Sequence, residues 1–399
     1  MGVLIRKQKG AHIFTGIGKL SVVGFFMSLS AALIDTVWAL YIDSFVHSEV
    51  YVGLISAALT VVAFLSYFVF IPLIERTNKS KMLLLSLFLF GITYVLFALN
   101  RNFYVFILLA FILTILFTFR ITSFGIIIKD KSRKGNLSRN EGLMYTVLNV
   151  AWVVGPLIAG YVANKNGISI VFLLASLFIF LAFFTFLFSR IDDAHVKKKI
   201  DGNLFKNLKE FFMDKDRSLA YVLGGGVNLW WAFIYLFMPL YIVRHGLNDL
   251  WVGYFLFAIA FPLILTEYKF AKMCSKWGFR KTFKRGFLIA AILAFAAFFA
   301  VNVYVVLGLL VLASFGLAMV EPTTEAYFFD ILKGKDDCRF YGPYNTTIDV
   351  NNFIGKICAS IVLIFLPFKY LFILFGGFMF LMFLLSSKAK NIVEGKKRH

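Results

Sequence analysis

Apolar runs of 18 to 25 residues recur from one end of this 399-residue chain to the other. At 1.5 Å rise per residue, a helix of that length crosses the ~30 Å hydrocarbon core of a bilayer. Inside hydrocarbon every backbone N–H and C=O must find a partner within the protein, which leaves helices and closed barrels. A barrel needs segments of about ten residues that alternate between lipid-facing and lumen-facing side chains, and this chain shows no such alternation. Proline is scarce, at 7 residues, against 50 phenylalanines. An all-α membrane protein follows. The soluble alternative fails on composition: 60% of residues are hydrophobic and only 16% charged, with a mean hydropathy of +0.83. That leaves too little polar surface to coat a core of this size.

The pattern predicts twelve spans, at 19–42, 50–74, 81–99, 103–128, 142–163, 167–189, 219–243, 250–268, 284–301, 303–328, 343–366 and 370–387. Basic residues orient them, because Lys and Arg collect in cytoplasmic loops. With the N-terminus inside, 35 of the 41 Lys and Arg fall on the cytoplasmic side. Four face the other way (Arg101, Lys165, Arg244, Lys369), and Arg120 and Lys356 lie within spans. Both termini are therefore expected in the cytoplasm, on a multi-pass protein of the cell membrane. The net charge of +20 then faces anionic lipid headgroups rather than nucleic acid. No cleavable signal peptide is expected, since the first apolar run is a full span without a small-residue cleavage site. The three cysteines are expected to stay reduced. The sequons at Asn78, Asn136 and Asn345 fall on the cytoplasmic side, where they are not used.

The halves align when the chain is slid by 200 residues. Tyr41-Ile42 meets Tyr241-Ile242, Val52-Gly53 meets Val252-Gly253, Asp130 meets Asp330, and Gly155 meets Gly355. The chain divides accordingly into a six-helix half at 1–189, a linker at 190–218 and a second six-helix half at 219–399. In the linker Leu204, Phe205, Leu208, Phe211 and Phe212 share one helical face, with Lys206, Lys209 and Lys215 nearby. This is an amphipathic helix, either lying on the cytoplasmic leaflet or solvated.

Parallel six-span halves joined by a long loop form a transporter architecture, with a solute site between the halves near the midplane. Together with two motifs, this layout resembles the major facilitator superfamily along the whole chain. Glu75-Arg76-Thr77-Asn78-Lys79 is similar to that family's acid–Arg–x–Gly–basic loop, with Asn78 in place of glycine. The loop Ser275-Lys276-Trp277-Gly278-Phe279-Arg280 keeps the glycine and lacks the acid. Gly155-Pro156-Leu157-Ile158-Ala159-Gly160 is similar to the family's Gly-Pro antiporter motif. The resemblance implies that spans one, four, seven and ten line the cavity.

Ionisable residues within spans cost about 2.5–3.5 kcal/mol each on insertion scales, and persist where they face a cavity or a partner. Asp35 in span one and Arg120 in span four are the first candidates, as solute-binding groups or as an ion pair; Trp38 lies near Asp35 on the same helix. Glu321 and Glu325 stand one turn apart around Pro322 in span ten. Two carboxylates that close in low dielectric disfavour double ionisation, which suits proton coupling; neutralisation by Lys356 is the alternative. Span eleven carries a polar stripe, Asn345, Asp349, Asn352 and Lys356, spaced four, three and four along one face. Its repeat mates are Tyr145, Asn149, Trp152 and Pro156. Span seven adds Asn228, Trp231 and Tyr235 as cavity-lining residues. Glu75, Arg76, Asp130, Gly155, Pro156 and Asp330 are the candidate gating elements, or else ordinary surface ion pairs and packing.

No nucleotide loop of the GxxxxGK[ST] type, no metal-spaced His/Cys cluster and no nucleophile motif is present. The expectation is a secondary active transporter working by alternating access, not an enzyme, without cofactor or metal. It is expected as a monomer coupled to protons, exporting amphiphilic or cationic compounds. The rival within the class is a proton symporter for a sugar, peptide or organic anion, held by Arg120 and Lys356. The rival of another class is a non-transporting membrane scaffold or receptor.

Overall fold

A computed structural model of the protein describes residues 16–131, 137–189, 191, 204–332, 337–390 and 392. Its helices are α1 (Gly16–Val46), α2 (Glu49–Arg76), α3 (Lys79–Leu99), α4 (Phe103–Lys131), α5 (Leu137–Asn166), α6 (Ile168–Phe188), α7 (Leu204–Phe212), α8 (Lys215–Ala232), α9 (Met238–Arg244), α10 (Asp249–Trp277), α11 (Phe279–Phe299), α12 (Val303–Ile331), α13 (Asp337–Phe365) and α14 (Tyr370–Ser386). A π-helical turn, Phe233–Phe237, joins α8 to α9 in one continuous span. Among the described residues eleven helices are long and apolar enough to cross a membrane, and α14 is a shorter apolar helix of 17 residues. The seventh span is thus α8 to α9, and α7 is the linker helix.

The 200-residue repeat reappears in the helix ends. α3 and α11 start at 79 and 279 and stop at 99 and 299, and α4 and α12 run from 103 to 131 and from 303 to 331. Asn102 and Asn302, repeat mates, both cap their helices: each side chain accepts from the N–H two residues on, Tyr104 and Tyr304, at 2.8 Å. The mates Asn78 and Gly278 solve one turn differently. Gly278 takes φ +82°, a conformation free of penalty only for glycine. Asn78 keeps φ −70° and caps α3 with its side chain, accepting from Lys81 N–H at 2.8 Å. The asparagine in place of the motif's glycine is thereby explained.

The helices divide into two compact units whose borders run through α1, α2 and α5. The first comprises residues 1–33, 66–155 and 169–198. Its helices approach over small residues. Ser30 Oγ donates to the Ala175 carbonyl and Ser176 Oγ to the Gly91 carbonyl, both at 2.8 Å, tying α6 to α1 and α3. A Cβ on Gly155 would lie 2.5 Å from that of Ala32, so glycine sets the α1–α5 approach.

The second unit comprises residues 34–65, 156–168 and 199–399. Gly286 and Gly316 bring α11 and α12 together, each leaving a Cβ only 2.5 Å from the other's carbonyl oxygen. Gly224, Gly225 and Gly226 of α8 make room for Tyr344, Asn351 and Met382. On α7, Phe211 is fully buried against Tyr221, Phe328 and Phe340. Part of the apolar face, expected either on the leaflet or in solvent, therefore packs on protein. Arg339 pairs with Glu210, and Arg280 Nε donates to the Ala389 carbonyl at 2.6 Å, binding α7 and the tail to the helix ends.

Large apolar side chains cover the outside: Leu65, Val69, Leu108, Leu177, Ile292 and Leu384 are all exposed. In water such a surface drives aggregation; in hydrocarbon it is the solvated face.

Candidate functional site

The second unit holds a cavity of about 260 Å³ lined by Asp35 and Trp38 of α1, Ser56 of α2, Trp231 and Ala232 of α8, Tyr235 and Leu236 of the π turn, and Asn352 and Lys356 of α13. Four elements place these groups, each for a local reason.

The π turn follows from Pro239. That residue has no N–H for the Tyr235 carbonyl, and its ring would clash there in a regular helix. The chain widens instead: Met238 N–H bonds to the Phe233 carbonyl five residues back. One extra residue enters the turn, and Tyr235 reaches the cavity beside Trp231, their ring centroids 5.6 Å apart. Single π turns of this kind are frequent at functional sites.

Lys356 is held from α2. Its Nζ donates to Thr60 Oγ1 at 2.9 Å, and Thr60 Oγ1 donates onward to the Ser56 carbonyl at 2.9 Å. The hydroxyl proton is thus spent within α2, and the oxygen lone pairs serve the ammonium. An ammonium has three donors, so a solute can use the others. Asp35 and Asp349 are the acids whose fields act on Lys356. Asp35 is exposed to the cavity, whereas Lys356 is partly buried. Behind the wall, Trp231 Nε1 donates to Glu321 Oε2 at 3.2 Å. A carboxylate of α12 thereby touches the cavity through an indole.

Of the residues singled out from sequence, Asp35, Trp38, Trp231, Tyr235, Asn352 and Lys356 meet at this one cavity, with Glu321 adjoining. Glu325 is exposed one turn further along α12; Asp349 is partly buried and Asn345 exposed on α13. Asn228 Nδ2 bonds within its own helix, to the Gly224 carbonyl at 3.2 Å. In the first unit Arg120 is buried with its guanidinium over the rings of Phe90 and Phe117, at 4.3 and 5.3 Å. Asn149 is exposed in the same unit. Of the gating candidates, Gly155 packs on Ala32, the Pro156 carbonyl lies against Gly253 of α10, and Asp330 is exposed. The side chains of Glu75, Arg76, Asp130 and Tyr145 lie outside the described residues. Among the described residues no group of three or more His, Cys, Asp or Glu is arranged to hold a metal.

Ser56 and Thr60 escape a reading based on charge. Nor does the sequence alone pair the charges of an ion-pair cluster where α1, α2 and α9 end: Arg244 bonds Asp43 at 2.9 Å and Glu49 at 3.3 Å. In the same unit α5 meets α10 backbone to backbone, a Cβ on Gly160 falling 2.8 Å from Gly253 Cα.

The family model of the Major Facilitator Superfamily matches residues 20–269 and 259–397, nearly the whole chain. The chain belongs to the Major Facilitator Superfamily. It is a multi-pass membrane transporter of small solutes and not an enzyme. Its fold resembles two solved structures, each at 93% coverage of this chain and 95% of the other. One is a POT family transporter in complex with a thioalcohol-conjugated peptide (TM-score 0.76, 14% identity). The other is a POT family transporter in complex with 5-aminolevulinic acid (TM-score 0.77, 13% identity). No curated protein matches the sequence.

Proposed function

We propose that this transporter carries a small zwitterionic solute, with its anionic end on Lys356 and its cationic end on Asp35, and couples the movement to protons. One observation carries the reading: a single small cavity presents a carboxylate, an ammonium and the rings of Trp38, Trp231 and Tyr235 together. A purely cationic solute is repelled by Lys356 and a purely anionic one by Asp35. A solute bearing both charges satisfies both walls, and the rings take its apolar middle. The 5-aminolevulinic acid bound by the similar fold carries an amine and a carboxylate, which supports the same class. At about 260 Å³ the space lies just below the ~300–1,000 Å³ of drug-sized sites.

Glu321 is the proposed coupling acid, since Trp231 links its charge state to the solute wall. The two halves alternate about this site, both termini lie in the cytoplasm as the basic loops require, and the monomer is the working unit.

The test uses proteoliposomes with an internal pH dye and an imposed proton gradient. Dipeptides and ω-amino acids are expected to move protons, and a lipophilic monocation is not. Lys356→Met should abolish zwitterion counterflow, and Asp35→Asn should weaken it severalfold. Proton movement with the monocation alone would overturn the zwitterion reading in favour of cation export.

A further inference from the structure

A larger cavity, about 610 Å³, lies elsewhere in the second unit, where α9, α11 and the α13–α14 connection end. It shares no residue with the solute cavity. Its walls are mainly aromatic, with Phe298, Phe299 and Phe372 prominent, and its polar side chains are Tyr241, His245 and Lys369. No acid lines it.

Three observations bear on its occupant. First, the rim is apolar and uncovered: Val301 is 97% and Phe299 79% exposed. Side chains of that kind at the end of a membrane helix belong in acyl chains rather than water. Second, Lys369 sits on the aromatic wall, its Nζ 5.3 and 5.7 Å from the ring centroids of Phe298 and Tyr370. Arg244, next to His245 in sequence, is engaged with Asp43 and Glu49, so Lys369 supplies the positive charge here. Third, His245 Nδ1 lies 2.8 Å from the Tyr241 carbonyl, with the two rings 3.9 Å apart. A carbonyl only accepts, so Nδ1 carries the proton, and in that Nδ1–H tautomer Nε2 is the acceptor.

The geometry points to a glycerophospholipid site. An acyl chain lies along the phenylalanines, the phosphate meets Lys369, and a hydrogen-bond donor on the headgroup meets His245 Nε2. The last contact selects among lipids. Phosphatidylglycerol offers hydroxyls and phosphatidylethanolamine an ammonium, whereas the trimethylammonium of phosphatidylcholine has no N–H or O–H. On the topology set by the basic loops this site faces the leaflet opposite the cytoplasm.

The delipidated full-length protein, reconstituted with one lipid species at a time, tests this by native mass spectrometry. Phosphatidylglycerol and phosphatidylethanolamine are expected to be retained at least fivefold better than phosphatidylcholine of the same chains. Lys369→Ala should remove the advantage of phosphatidylglycerol. His245→Phe should erase the preference for phosphatidylethanolamine over phosphatidylcholine while leaving phosphatidylglycerol favoured. Lys165→Ala, a basic residue of α5 that does not line this cavity, should change nothing. Equal retention of all three lipids, or an unchanged order in both cavity variants, overturns the proposal. So does displacement of bound phosphatidylglycerol by millimolar inorganic phosphate, which would mark a small-anion site instead.

Discussion

Replacing Arg244 by alanine should loosen the end of the second unit that lies beyond the solute cavity. Asp43 is eight residues past Asp35 on α1, about 12 Å along the helix, and Arg244 is nine past Tyr235 on the α8–α9 span. Arg244 donates to both Asp43 oxygens, at 2.9 and 3.1 Å, and pairs with Glu49 at 3.3 Å. Ends of α1, α2 and α9 are therefore joined by one guanidinium. Arg244 is 41% exposed, so each pair counts at the value of exposed ion pairs, about 0.2–1 kcal/mol. The cluster together then supplies about 1 kcal/mol, a factor of about five in a two-state population. The assay places one cysteine at Ser56 on the cavity wall, in a background where the native cysteines are replaced. A membrane-impermeant thiol reagent is added on the side of the Arg244 cluster. Labelling should accelerate about fivefold in Arg244→Ala. Raising salt from 0.1 to 1 M shortens the Debye length from about 10 to about 3 Å, and should speed labelling in the parent protein but not in the variant. The charge swap Arg244→Asp with Asp43→Arg should restore part of the protection. A rate unchanged within twofold in Arg244→Ala, with no salt effect in the parent, would refute the cluster as a closing element.

Three further outcomes follow from the packing and the hydrogen bonds. Thr60→Val removes the acceptor of the Lys356 ammonium at constant shape; a hydrogen bond to a charged group is worth about 1.5–3 kcal/mol, so the half-saturation concentration in solute counterflow should rise at least tenfold. Gly160→Leu drives a side chain into the Gly253 backbone and should lower the melting temperature in detergent, overpacking costing about 1–3 kcal/mol. Gly125→Ala, whose Cβ meets nothing within 4 Å, is the unchanged control, and equal melting of the two variants would sink the close-approach argument. Trp231→Phe keeps a ring in the wall and deletes the N–H that Glu321 accepts; counterflow should persist while proton-driven accumulation falls severalfold, and an equal loss of both would remove Glu321 from the coupling proposal.

Architecture was legible because span length and repeat register are long-range signals that survive low sequence identity. The caps Asn102 and Asn302, whose side chains accept from Tyr104 and Tyr304 N–H, and the twin boundaries at 79 and 279 show the same register in the structure. The cavity was legible where a residue is expensive in hydrocarbon: Asp35, Lys356 and Glu321 stand out in apolar helices. Hydroxyls do not. Thr60 returns its proton to the Ser56 carbonyl of its own helix, which makes it cheap anywhere in a span, and only the lysine opposite gives it a role. Arg244 reads as one of four stray loop charges until α1 and α2 bring Asp43 and Glu49 to it. The π turn had a written signal in Pro239. What the sequence alone leaves open is which of the helical prolines widens its turn: Pro156, Pro262, Pro322 and Pro343 sit inside α-helices, and Pro239 follows the π turn.

The repeat also shows where chemistry was added. Positions 200 apart share helix ends, yet the polar and aromatic cavity groups do not share residues with their mates. Asp35 corresponds to Tyr235, Pro156 to Lys356, Trp152 to Asn352, Ile121 to Glu321, and Thr60 to Ala260. Duplicated helices supply the frame, and each charged group occurs in one copy only. A symmetric cavity would oppose like with like: two aspartates or two lysines facing each other, each raising the cost of charging the other. Divergence of the mates instead puts one acid and one base around a common cavity, where each favours the charged form of the other and, on the proposed reading, a solute of mixed charge. Reintroducing symmetry should therefore be more damaging than deleting a charge. Tyr235→Asp, which puts an acid like its mate Asp35 beside Trp231, should impair counterflow more than Tyr235→Phe. Equal effects would mean that Tyr235 contributes only bulk, and that the asymmetry of the repeat has no electrostatic purpose at this position.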